Sequence, residues 1–392
     1  MALVKNLGGC YHKVYKVFFG KWFMKDIKVF LQYPWKFPDS AYYRNMLAFP
    51  PKGVTYLNKN FSIIDSKRGF EINRYIKEKV RRFVNIIKIP NLTYARRKGD
   101  DLIHCAHCLS LNKRPWVVDF ERYENLTADG DSAISKRGIK IIRRMLKSDN
   151  CKRILPWTNA AKESLLAYID DKEIKDKIKL LPFGMPVREL KPVKRSDRIN
   201  VLFVARHFQA KGGIVALEVI DRLTKKYKNV YGLFVSSVPK EMLKKYGKNK
   251  KIEFYNLMSH DELLEKMYPR ADVFFYPGIF DTFGFMLVEA LSFKLPIVTF
   301  EGFARDEIVE NGKNGFIIRR RSGDELGWKE FRIKQNDKGY INEAVKKTGE
   351  LIANARLRRK MGAYGYEQVK TGKFSIKNRN KILKEVYLDA LN

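Results

Sequence analysis

The chain has 392 residues, 45% of them apolar, which is enough for two domains of roughly 150 to 200 residues with real cores. No apolar run approaches the roughly 20 residues that span a bilayer. No apolar core with a small-residue cleavage site marks a secretory signal, and four cysteines do not make a disulfide framework, so a reducing cytosol is expected. The formal net charge of +35 implies an anionic partner, whether a lipid surface, a nucleic acid or a polyanionic substrate. The plainer alternative is lysine on every solvated face. No zinc-finger, RNP-like or helix-turn-helix signature accompanies the charge.

Residues 1–26 place Tyr11, Tyr15, Phe18, Phe19 and Trp22 at three- and four-residue steps among Lys5, Lys13, Lys16, Lys21 and Lys25. That pattern predicts a basic, aromatic amphipathic helix, suited either to a membrane interface or to packing on the domain core. Strands are expected at 27–31, 84–89, 101–104 and 116–120, alternating with helices at 131–146 and 159–169. This is the rhythm of an α/β domain. Thr158 or Asn159 would cap the second of those helices.

Two short runs invite a metal. His104-Cys105-Ala106-His107-Cys108 offers nitrogen and sulfur ligands and a C-x-x-C pair. Adjacent ligands cannot all turn to one ion without strain, however, and no second pair follows, so a cleft-lining role for His104 or His107 is the better reading. Asp129-Gly130-Asp131 is a D-x-D, for which a loop or a helix cap at Asp131 is expected. No metal site is expected.

After a strand at 179–181, Phe183-Gly184-Met185-Pro186 and the run from Arg188 to Pro192 mark a boundary. It divides a first domain, 1–190, from a second, 191–374, with a closing helix in 375–392. In the second domain strands are expected at 199–204, 230–235, 252–255, 272–276, 297–300 and 316–318, with helices between nearly all of them. Residues 319–339 read as a polar, basic loop, 340–370 as helical and 375–391 as the final helix.

The chemistry concentrates in this second half. Arg206 follows the first strand, Lys211 comes five residues later, and Gly212-Gly213 open a helix. Free N–H groups at a helix start, two cations and glycines that allow close approach make a diphosphate site. Glu289 lies in Phe283-Gly284-Phe285-Met286-Leu287-Val288-Glu289-Ala290-Leu291, the most apolar helix-like stretch of the chain. A carboxylate there costs several kcal/mol, roughly, unless it is hydrogen-bonded. Asp281 precedes it by eight residues, in the loop after a strand. Both acids would face the cleft above the carboxyl ends of a parallel sheet.

Asp281-x7-Glu289, with Phe283-Gly284 after the first acid and Ala290-Leu291 after the second, resembles the E-x7-E signature of retaining nucleotide-sugar glycosyltransferases of family 4. Asp281 stands where the family more often has Glu. The Arg206-x4-Lys211 pair, Pro182-Phe183-Gly184-Met185 and Asn311-Gly312-Lys313-Asn314-Gly315 also resemble that family. The resemblance implies the GT-B architecture: two Rossmann-like, doubly wound domains facing a central cleft, with the last helix returning to the first domain. It implies that Arg206 and Lys211, with Gly212, hold the donor's diphosphate. Glu289 would bind the ribose, and Asp281 with the backbone of Phe283, Gly284, Phe285 and Met286 would face the transferred sugar. Glu121, at the end of Pro115-Trp116-Val117-Val118-Asp119-Phe120, stands where many members carry His. It could accept the acceptor's proton or stabilise charge at the anomeric carbon, or else cap a helix or bind acceptor.

The implied activity is metal- and cofactor-independent, hexosyltransferase-like transfer from a nucleoside-diphosphate sugar to an acceptor hydroxyl. The basic surface favours a glycan or lipid-linked acceptor, met from the cytoplasm by an enzyme lying peripherally on the anionic inner membrane face. A soluble or protein acceptor, an inactive nucleotide-sugar binder and a nucleic-acid-binding protein without catalysis are the rivals. The four residues Arg206, Lys211, Asp281 and Glu289 together argue against the last two, so no nucleic-acid partner is expected.

Overall fold

The computed structural model describes residues 26–33, 40–58, 75, 78–80, 82–96, 99–187, 197–278, 281–320 and 337–392. The aromatic lysine-rich segment before Asp26, the run from Arg188 to Pro192 and most of the basic loop expected at 319–339 lie outside them.

The first half builds β1 (Ile27–Gln32), α1 (Ala41–Ala48), β2 (Val54–Tyr56), β3 (Leu92–Thr93), β4 (Leu102–Ala106), β5 (Leu109–Ser110), β6 (Trp116–Phe120), α2 (Lys136–Lys147), β7 (Cys151–Pro156), α3 (Asn159–Leu166) and α4 (Lys172–Asp176). Five strands form one parallel sheet in the order β2-β1-β4-β6-β7, and β3 pairs with β5 in a separate two-stranded sheet. β4 and β6 are buried at every position, because parallel strands are covered on both faces. α2, α3, α4 and β5 share one core with Ile103, Cys105 and Val118. The expected strand at 84–89 is not formed: residues 82–87 are helical. Its apolar residues Phe83, Val84, Ile86 and Ile87 suit either element, and a short apolar run cannot decide between them. Residues 179–181 also form no strand; Lys179 and Leu181 donate backbone hydrogen bonds to Ile154 and Pro156, lying extended beside β7.

The second half builds β8 (Ile199–Ala205), α5 (Gly213–Lys226), β9 (Val230–Ser236), α6 (Lys240–Tyr246), β10 (Ile252–Tyr255), a one-turn helix α7 (His260–Glu262), β11 (Val273–Tyr276), α8 (Phe285–Ser292), β12 (Ile297–Phe300), α9 (Arg305–Ile308), β13 (Gly315–Ile318), α10 (Lys338–Ala353), α11 (Ala355–Lys370) and α12 (Ile376–Leu391). Its sheet is parallel throughout, in the order β10-β9-β8-β11-β12-β13. The order reverses between β8 and β11, and at such a switch point the loops leave in opposite directions and open a crevice. The first sheet has its own switch between β1 and β4. Both halves are therefore Rossmann-like and doubly wound.

α12 lies on the first sheet. Buried Arg379 donates to the Phe49 carbonyl at 2.8 Å, and Tyr387 shares a 2.9 Å hydrogen bond with Tyr56 and one of 2.6 Å with His104 Nδ1. His104 Nε2 in turn faces Asp119 at 3.2 Å, and Tyr43 donates to Asp119 at 2.6 Å. His104 is thus a fully buried tie between sheet and closing helix, not a residue of the cleft floor. The two halves also meet through aromatic rings, with Trp157 and Phe183 of the first packed edge-on against Phe283 and Phe285 of the second.

Candidate active site

β8 is an apolar run that ends at Ala205 and delivers Arg206 to the crevice. Arg206 is exposed and forms no hydrogen bond or ion pair among the described residues. The chain then turns through Gly212 at φ 78°, a left-handed conformation that glycine adopts without strain, and enters α5. Gly213 packs so closely on the Phe208 ring that a Cβ would stand 2.3 Å from it. Lys211, in the turn, places its ammonium 3.1 Å from Asp281 Oδ1.

Asp281 follows β11, on the other side of the switch point. Its second oxygen accepts a 2.5 Å hydrogen bond from Tyr276, the last residue of β11. The loop between them is pinned by Arg305 of α9, which is fully buried and donates to the carbonyls of Gly278, Asp281, Phe300 and Glu301. Burial, with the like charge of Arg320 adding to it, pushes the Arg305 guanidinium below its usual range, and neighbouring Asp281 opposes that. α8 then starts behind Gly284, held at φ 90°.

Glu289 is buried on α8, and its carboxylate has two side-chain partners. Tyr268 donates to Oε2 at 2.9 Å, and His260 Nε2 lies 2.7 Å from Oε1. Those bonds answer the desolvation cost of a carboxylate inside an apolar helix. His260 is placed by a capping box at the start of α7, where Ser259 and Glu262 bond reciprocally.

Glu121 reaches this site from the first half. It accepts from Thr282 Oγ1 and from the Phe283 backbone N–H. Withdrawal from water, with the charge of Asp281 adding to it, pushes the Glu121 carboxyl up to about 7, against the lowering effect of Thr282, Lys211 and Phe283. The Phe283 side chain belongs to the aromatic contact between the halves, while Phe285 and Met286 are partly exposed at the helix start.

The structure thus brings Lys211, Asp281 and Glu121 together at the crevice, with Arg206 at the end of β8, Gly212 at the start of α5 and Glu289 buried on α8. Sequence reasoning missed Thr282, Tyr276, Tyr268, His260 and Arg305 as parts of it. Only the capping box was a readable sign: the contacts of Thr282, Tyr268 and His260 join residues distant in sequence, Arg305 hides in a charged run, and Tyr276 reads as an ordinary apolar strand residue. Cys105, Cys108 and Cys151 are buried free thiols, and burial pushes the thiols of Cys105 and Cys151 up, so they are poor nucleophiles. Among the described residues no group of three or more His, Cys, Asp or Glu is arranged to hold a metal ion. Asp129 instead bonds the backbone and hydroxyl of Ser132, and α2 is capped by Ser135, not by Asp131.

Residues 188–368 match the family model described as glycosyl transferases group 1. An uncharacterized glycosyltransferase of Methanocaldococcus jannaschii is 21% identical over 277 residues, covering 63% of this chain and 70% of that protein. An alpha-monoglucosyldiacylglycerol synthase of Acholeplasma laidlawii is 28% identical over 300 residues, covering 69% and 73%. A crystal structure of a glycosyltransferase from Rickettsia africae superposes with a TM-score of 0.63 at 16% identity, covering 94% of this chain and 99% of that one. With the two facing parallel sheets, this makes the architecture GT-B.

Proposed function

We propose that the chain is a retaining glycosyltransferase that moves a sugar from a nucleoside-diphosphate sugar to an acceptor hydroxyl without a metal. The observation that carries this reading is the meeting of Lys211 with Asp281 across the switch point, beside Arg206 and the start of α5.

The diphosphate lies at the α5 N-terminus between Arg206 and Lys211. These cations stabilise the charge that grows as the bond from the anomeric carbon to the diphosphate oxygen breaks. Glu289 binds the ribose hydroxyls, and Asp281 accepts from the hydroxyls of the transferred sugar. The acceptor oxygen bonds to the anomeric carbon on the face the diphosphate leaves. Its proton passes to a diphosphate oxygen, and the bonding pair departs with the diphosphate. Glu121, as a carboxylate, faces the positive charge that builds on the anomeric carbon. A site that supplies this charge stabilisation from side chains and a helix end needs no divalent ion.

The acceptor is a lipid-linked glycan or a lipid head group, met by a peripheral enzyme at the cytoplasmic membrane face. The net charge of +35 and the similarity to an alpha-monoglucosyldiacylglycerol synthase support that choice. No helix of the described residues is long and apolar enough to cross a membrane. The test is a screen of nucleotide sugars by thermal shift and slow donor hydrolysis. One donor should raise the melting temperature and release its nucleoside diphosphate, with chelator present. A chain that neither binds nor consumes any of them is not this enzyme.

A further inference from the structure

We propose that the outer face of α2, with the apolar side chains flanking it, is the surface that docks on an anionic lipid bilayer. The binding stands on its own observations; it rests on the reading above only for its purpose, bringing the cleft to a lipid-borne acceptor.

α2 carries Lys136, Arg137, Lys140, Arg143, Arg144 and Lys147, all exposed, and no acid. Only Lys147 has carboxylate partners, Asp171 and Glu173; the other five form no ion pair among the described residues. A charge run is ordinarily a solvated face, and in so basic a chain cations alone decide nothing. The apolar surroundings do. Ile86 is 78% exposed, Tyr94 64%, Phe83 61% and Leu111 51%, which with Tyr75 makes them the most exposed large apolar side chains among the described residues.

They belong to the same layer as α2. The Ser132 hydroxyl, just before α2, donates to the Val84 carbonyl at 3.2 Å and ties the 82–87 helix to it. Tyr94 and Leu111 directly follow β3 and β5, whose Leu109 shares one core with Ile142 and Leu146 of α2. A nucleic acid would match the cations but offers no apolar phase for Ile86 or Leu111. A bilayer offers both, with head-group charge at the surface and an acyl boundary beneath it. α2 belongs to the same half of the chain as Glu121, the half expected to bind the acceptor.

The test uses the full chain with vesicles of phosphatidylcholine, alone or with phosphatidylglycerol. Wild type should sediment with the anionic vesicles and much less with the neutral ones. K140Q/R143Q/R144Q should lower the affinity on the order of 100-fold, at roughly fivefold per charge. F83S/I86S should remove the binding that persists at high salt. Both variants should melt like wild type and hydrolyse donor in solution at the wild-type rate. Unchanged sedimentation of both variants would overturn the proposal, as would wild type that binds RNA and ignores vesicles. Vesicle binding without consumption of any nucleotide sugar would keep this surface and defeat the glycosyl-transfer reading.

Discussion

Glu121 and Thr282, far apart in the sequence, are hydrogen-bonded across the cleft, so a carboxyl of the first half is held at the loop that carries Asp281 in the second. That contact puts an acid pushed up to about 7 beside the place where the sugar would sit. Its proposed role needs the carboxylate, so protonation switches it off. kcat/KM should fall as pH drops below about 7, and Glu121→Gln should be slow with that acidic limb absent. The stability sign is opposite: ionising this withdrawn group weakens the fold as pH rises from 4.5 through about 7. A pH-rate profile and a pH series of thermal melts check both. An acidic limb that survives in Glu121→Gln would assign it elsewhere.

Lys211 and Arg206 should each cost on the order of 10² in turnover when replaced by alanine, because each stabilises charge on the departing diphosphate. Donor affinity should weaken less than turnover. Chelator should leave the rate unchanged. A rate lost in chelator and restored by a divalent ion would return attention to Asp129 and Asp131.

Glu289→Gln keeps the shape of the side chain but removes the charge that Tyr268 and His260 serve. Donor affinity should fall by about tenfold or more, in line with loss of charge-assisted bonds of about 1.5–3 kcal/mol, while circular dichroism stays unchanged. Titration with the preferred nucleotide measures it. Wild-type affinity would remove Glu289 from the ribose.

Glu307 of α9 accepts from the Asn159 and Ala160 backbone N–H groups, both at 2.8 Å, and so caps α3 from the opposite half. Glu307→Ala should cost about 1 kcal/mol, the usual worth of a lost cap, and should lower the melting temperature. Thermal denaturation beside Glu307→Gln, which keeps one acceptor, reads the difference.

The second half was legible because its strands are buried on both faces and read as unbroken apolar runs, such as Val201 to Val204 and Val273 to Tyr276. Asp281 and Glu289 stood out against that background. The first half was less so. β2 is three residues long and β7 carries Lys152 and Arg153, which hide its period. Residues 82–87 have the apolar content of a strand and the fold of a helix. Arg305 reads as a surface residue in an Ala-Arg-Asp-Glu run, yet it is fully buried because four carbonyls need its donors. The partners of Glu289 come from over 20 residues away, a distance only tertiary folding closes.

The most direct test is the stereochemistry of transfer. The donor found by screening is incubated with an acceptor, and proton NMR reads the anomeric configuration of the product as nucleoside diphosphate is released. Product with the donor's configuration, formed in chelator and lost in Lys211→Ala, is the predicted result. Product of the opposite configuration, or nucleotide sugar left intact by wild type with every acceptor class, would contradict it.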